Sequence, residues 1–161
     1  VRLYLPATLD ELDDLLQGRA PLAAPRRAHA VTPALAALLP EEDEEGVEFA
    51  AQLMAADDAL VLLASRPDAA GLRLVVTVEV ADGAVSAAAP EDGAGVDDEA
   101  ASLVTLTEAV TLDDVVCAHV DEPAARAEVA RALDGDDAAL DALAERDLLW
   151  YDASELDRIP R

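Results

Sequence analysis

The sequence predicts a single α+β domain in which a mixed, mostly antiparallel sheet of five or six strands packs against helices. Three observations carry that expectation. From Leu72 to Val80 every second position is apolar, with Arg73, Thr77 and Glu79 on the alternate face, which is the period of a strand covered on one side. Leu9, Leu12, Leu15 and Leu16 recur at the spacing of one helix face. Hydrophobic residues make up 53% of the 161 positions, but 37 of them are alanine, and the 48 larger ones suffice for one core rather than two.

The elements follow in order. Leu3 to Leu5 reads as a short strand, and Thr8 with Glu11 forms the T-x-x-E box that opens a helix closed by Gly18. A proline-rich loop from Arg19 to Arg27 leads to a strand at His29 to Val31. Thr32 caps a short helix with Pro33 in its first position, and Pro40 closes it. The acidic run Glu41 to Glu45 begins the longest helix, where the spacing of Phe49, Leu53, Ala56, Leu60 and Leu63 predicts the inward face. After the strand at Leu72 to Val80, residues 81–101 read as a mobile acidic loop with a scrap of strand near Val85. Strands are expected at Leu103 to Val110 and Val115 to Val120. Helices are expected at Pro123 to Leu133 and Asp136 to Asp147, parted by Gly135, and a last strand at Leu148 to Tyr151.

None of the residues is lysine: 11 arginines face 35 Asp plus Glu, a net charge of −24. Such a shell repels nucleic acid and anionic membrane surfaces, so neither is an expected partner. Asparagine is absent as well, and Ile, Phe and Met occur once each, a palette that fits a GC-rich genome better than salt adaptation. Val1 before Arg2 reads as a GUG start translated literally, which would make position 1 the N-terminus. Cys117 is alone, so no disulfide can form within the chain, and a reducing cytosol is expected. The longest charge-free stretch, Ala28 to Pro40, is too short to cross a bilayer, and no signal peptide is visible. The expected location is cytoplasmic.

Several short motifs carry a family likeness. They are Arg2, Tyr4, Pro6, Ala7 and Thr8; Ala30 to Pro33; Glu48, Phe49 and Ala50; His119, Val120 and Asp121; and Leu148 to Tyr151. Through them the chain resembles an uncharacterised family of small acidic actinobacterial proteins, a domain of unknown function. The resemblance covers nearly the whole chain and implies a single domain, with no activity, cofactor or catalytic residue attached.

Candidate sites are few. Arg2 and Tyr4 share one face of the first strand, and His119 joins them if the two strands are neighbours. A guanidinium, a phenol and an imidazole that titrates near neutral pH could then hold a carboxylate or phosphate. Arg19, Arg26 and Arg27 form the only basic island, with Arg26 and Arg27 as speculative anion ligands beside the helix start at Thr32. Pairing with the protein's own carboxylates is the default for such arginines.

Cys117, His119 and Asp121 share a strand face, but the outer pair would lie ~13 Å apart, too far to chelate one ion. A zinc site would have to recruit His29, so no metal is assigned. The acidic runs Asp10 to Asp14, Glu41 to Glu45, Glu91 to Glu99 and Asp134 to Asp141 lack the grammar of a calcium loop and read as solvated faces. Trp150 and Tyr151 are expected to close the core.

No G-x-S-x-G, P-loop or G-x-G-x-x-G occurs, and without lysine there is no Schiff base. No cofactor is expected. The leading expectation is a non-catalytic interaction or regulatory protein whose partner presents a basic or apolar patch. The alternative is a small enzyme or anionic-ligand-binding module built on Arg2, Tyr4 and His119.

Overall fold

A computed structural model describes residues 1–87 and 100–161. The strands are β1 (Arg2–Ala7), β2 (Arg26–His29), β3 (Leu74–Glu79), β4 (Val85–Ala87), β5 (Leu103–Leu106), β6 (Val115–Val120) and β7 (Leu149–Asp152). They form one sheet in the order β4-β5-β2-β1-β3-β6-β7. The expected five or six strands are thus seven, and every pairing in this sheet is antiparallel rather than mixed. The extra strand is β4. The scrap of strand expected near Val85 is Val85 to Ala87, and pairing with Leu106 to Val104 makes it a full member of the sheet.

The α-helices are α1 (Leu9–Leu16), α2 (Pro33–Leu38), α3 (Glu44–Ala64), α4 (Arg126–Leu133) and α5 (Asp137–Ala144). Their starts follow local chemistry. The Thr8 hydroxyl accepts from Glu11 N at 3.3 Å while the Glu11 carboxylate accepts from Thr8 N at 3.0 Å, the reciprocal box expected for α1. Thr32, Asp43 and Asp136 cap α2, α3 and α5 with one-way bonds, their side-chain oxygens accepting from backbone N–H groups of the first turn. Gly18 and Gly135, at φ of 64° and 90°, turn the chain out of α1 and α4 through the left-handed region.

Each face of the sheet has its own core. One collects Leu3 and Leu5 of β1, Leu74, Val76 and Val78 of β3, and Ala118 and Val120 of β6, together with Leu9 and Leu12 of α1, Val129 of α4 and Leu143 of α5. The other is smaller, with Tyr4 and Val75 packed against Val47, Ala51, Ala55 and Ala56 of α3. The alternate face of β3 is therefore covered too, and Arg73 and Thr77, expected at a polar surface, are buried.

Helix α3 sits differently from its sequence pattern. Val47, Ala51, Ala55, Ala56, Ala59 and Leu63 face inward, whereas Phe49 and Leu53 are exposed. Two stripes share the helical period here. The alanines win because their small side chains let the helix lie against the sheet without displacing strand residues.

Strand β2 lies three residues earlier than expected, because Arg26 and Arg27 pair with Leu106 and Thr105 of β5. The predicted strand at Leu103 to Val110 ends at Leu106. In the expected loop at 81–101, Asp82 to Ala84 form a short 3-10 turn that leads into β4. Residues 88–99, including the acidic run Glu91 to Glu99, lie outside the described residues.

Trp150 is not core closure. Register sets Tyr151 opposite Ala118, on the packed face, and Trp150 opposite His119, on the other. Tyr151 packs partly buried against the main core, and Trp150 stays 57% exposed.

Candidate functional site

Antiparallel register aligns one row of side chains across three strands. Tyr4 of β1 is opposite Thr77 of β3, and Thr77 is opposite Cys117 of β6. The next row runs Val75, His119, Trp150. Residues directly opposite each other share a face, so both rows belong to the side that α3 covers. The pairing shifts after Thr77, leaving Val116 without a partner on β3, and this bulge turns Val116 to the same side as Cys117.

Helix α3 packs against β1, β2 and β3, leaving β6 and β7 beside it. The step between helix and sheet is a cleft of about 390 Å³. Glu45, Glu48, Phe49 and Gln52 line it from α3, and Tyr4, Thr77, Cys117, His119 and Trp150 line it from the sheet. Arg2 and Val116 complete it. The structure thus places Arg2, Tyr4 and His119 around one cavity, although β3 intervenes between the strands that were expected to be neighbours. Two strand spacings and one row along the strand separate Tyr4 from His119, ~12 Å, which makes the site a trough rather than a tight polar triad.

The electrostatics depart from those of an anion site. Arg2 Nη1 donates to both Glu48 oxygens at 3.2 Å, and Arg2 Nη2 donates to Glu79 Oε1 at 3.1 Å. The Glu48 charge raises the Arg2 pKa, so the guanidinium stays ionised and is already matched by two carboxylates. Burial, then the Glu48 charge, pushes the Tyr4 phenol up to about 12. Burial lowers the His119 pKa, favouring the neutral ring over the near-neutral titration expected of it. The Glu45 side chain makes no ion pair or hydrogen bond among the described residues. Two buried polar atoms on the cleft, Thr77 Oγ1 and His119 Nδ1, have no hydrogen-bond partner in the protein.

The match to the family of unknown function DUF6912 extends over residues 1–159, nearly the whole chain, as the resemblance implied. The chain belongs to this family. No curated protein and no solved structure matches it.

Because DUF6912 carries no assigned residue roles, the other candidates in this chain are judged on geometry. Arg19 donates to Asp14 at 2.6 Å, Arg26 to Glu11 at 2.9 and 3.0 Å, and Arg27 to Asp58 at 3.2 Å. Each arginine of the basic island therefore faces a carboxylate of the protein itself. Cys117 and His119 reach the cleft, but Asp121 lies apart, bound to Arg73, and His29 lies beneath α3. The described residues contain no group of three or more His, Cys, Asp or Glu arranged to hold a metal ion. None of the helices is long and apolar enough to cross a membrane among the described residues.

One constellation had no signal in the sequence. His29 Nδ1 lies 2.7 Å from Ser102 Oγ, and His29 Nε2 lies 3.0 Å from Asp58 Oδ2. These are the side-chain types of a nucleophile relay. Ser102 is 0% exposed, however, and its hydroxyl also meets Met54 Sδ at 2.9 Å, so no substrate carbonyl can approach the oxygen. The group ties β2, α3 and the entry to β5 together. Separations of 29 and 73 residues leave it no local motif.

Proposed function

We propose that this protein is a non-catalytic binding protein, and that its recognition surface is the cleft between α3 and β6–β7, engaged by a partner protein presenting a basic and apolar segment. One observation carries the reading. The chain has one tryptophan and one phenylalanine, and both line this cleft at 57% and 54% exposure. Exposing the one tryptophan and the one phenylalanine on a single cleft forgoes their burial in a core built mostly of aliphatic residues. Exposed aromatic residues beside a cavity are typical anchors of protein interfaces. The unpaired Glu45 and the net charge of −24 favour a basic partner and speed its encounter.

A small-ligand reading shares the same cleft through Arg2, Tyr4 and His119. The carboxylates on Arg2 weigh against an anion there.

Selection of a displayed random-peptide library on the immobilised full chain tests the reading. Selected peptides should be rich in basic and apolar residues, and Phe49→Ala or Trp150→Ala should abolish their binding while the fold persists. Acidic peptides, or peptides held equally well by both variants, would overturn it.

A further inference from the structure

We propose, resting on that reading, that the cleft is a receptor for the guanidinium group of an arginine side chain on the partner. The first argument is charge. Arg2 is matched by Glu48 and Glu79, whereas Glu45 on the same cleft has no partner among the described residues, so an incoming cation is the complementary ligand.

The second argument is the sense of the unpartnered atoms. Thr77 is 3% exposed and its Oγ1 has no partner, although it lies in the row of side chains at the cleft floor. His119 Nδ1 is unpartnered as well, and in the neutral ring protonated at Nε2 it is an acceptor. A buried polar atom left unsatisfied costs about 1–3 kcal/mol. The Thr77 hydroxyl accepts as well as donates, so with that His119 tautomer each atom is open to a donor, and guanidinium carries five N–H donors and no acceptor.

The third argument is shape. Guanidinium is planar and weakly hydrated, and it stacks on aromatic faces, tryptophan above all. Trp150 and Phe49 supply such faces, and about 390 Å³ admits a side chain but not a folded element. A lysine ammonium would satisfy the charge but would forgo the planar stacking.

The test uses the peptides selected above, with one arginine at a time replaced by citrulline, which keeps the planar shape and removes the charge, or by lysine. One citrulline replacement should weaken binding to the full chain by about tenfold or more, with lysine in between. Thr77→Val should produce a similar loss with wild-type peptide. Should Thr77→Val fail to fold, Glu45→Gln, at an exposed helical position, should still weaken the arginine peptide several-fold and leave the citrulline peptide unchanged. If every citrulline replacement leaves affinity intact while Trp150→Ala abolishes it, the arginine assignment fails and the interaction surface stands. If the Trp150 and Phe49 variants bind the peptides normally, the surface itself is wrong.

Discussion

His119 and Trp150 are direct partners across β6 and β7, so imidazole and indole rise from the same face of the sheet beside α3. Their neighbours Ala118 and Tyr151 are paired in the same way on the opposite, packed face. The exposed and the packed aromatic residues of β7 are thus adjacent in sequence and separated by the thickness of the sheet.

Replacing those two residues should separate their roles. Trp150→Ala is expected to cost less than about 1 kcal/mol of stability, and Tyr151→Ala about 2 kcal/mol, because only the second removes area packed against the main core. Urea unfolding of both variants checks the order. Equal losses would mean that Trp150 is packed in solution.

The neutral His119 ring makes stability depend on pH. Burial lowers its pKa below the ordinary 6.5, so the unfolded chain takes up a proton before the folded one does. Stability is complete above pH 6.5 and falls as the pH drops from there towards the folded value, then levels off. His119→Gln should remove this component, and proton NMR titration of the imidazole should give a midpoint below 6.5.

Arg73 and Asp121 form the most enclosed ion pair. Asp121 accepts from Arg73 Nε at 3.0 Å, from Nη2 at 2.8 Å and from the Arg73 backbone N–H at 2.9 Å. Asp121→Ala strands a buried guanidinium and should cost about 3–5 kcal/mol. The double variant Arg73→Met/Asp121→Leu should recover much of that loss in chemical denaturation, since no charge then remains buried.

The two stripes of α3 predict opposite responses. Ala55 is fully buried, and Ala55→Leu should destabilise by about 1–3 kcal/mol through overpacking against the sheet. Phe49→Ala, on the exposed stripe, should stay within about 1 kcal/mol of wild type. Thermal melts of the two variants decide which stripe faces inward.

Much of the fold was legible because its signals are local. The T-x-x-E box opening α1, Thr32 with Pro33 at α2 and the alternation around β3 each place their own backbone by hydrogen-bonding or period. The inward face of α3 was legible only in part: Ala56, Leu60 and Leu63 of the expected stripe do pack inward, but Phe49 and Leu53 carry more hydrophobicity than Ala51 and Ala55 while obeying the same period. Only the sheet beneath the helix favours the smaller set. Strand parity put Arg2 and Tyr4 on one face, but His119 was joined to them only on the condition that β1 and β6 were neighbours, whereas β3 intervenes and adds Thr77 to the floor, which depends on strand order.

The sequence by itself determined the fold class, the anionic surface, the helix caps and the parity of side chains along each strand, since all of these follow from composition and short-range geometry. Tertiary structure alone decided that seven strands pair antiparallel throughout, that Trp150 stands outside the core, and that Glu48 and Glu79 neutralise Arg2. Those outcomes rest on contacts between segments far apart in the chain, and neither the period nor the composition of one segment encodes which other segment it will meet.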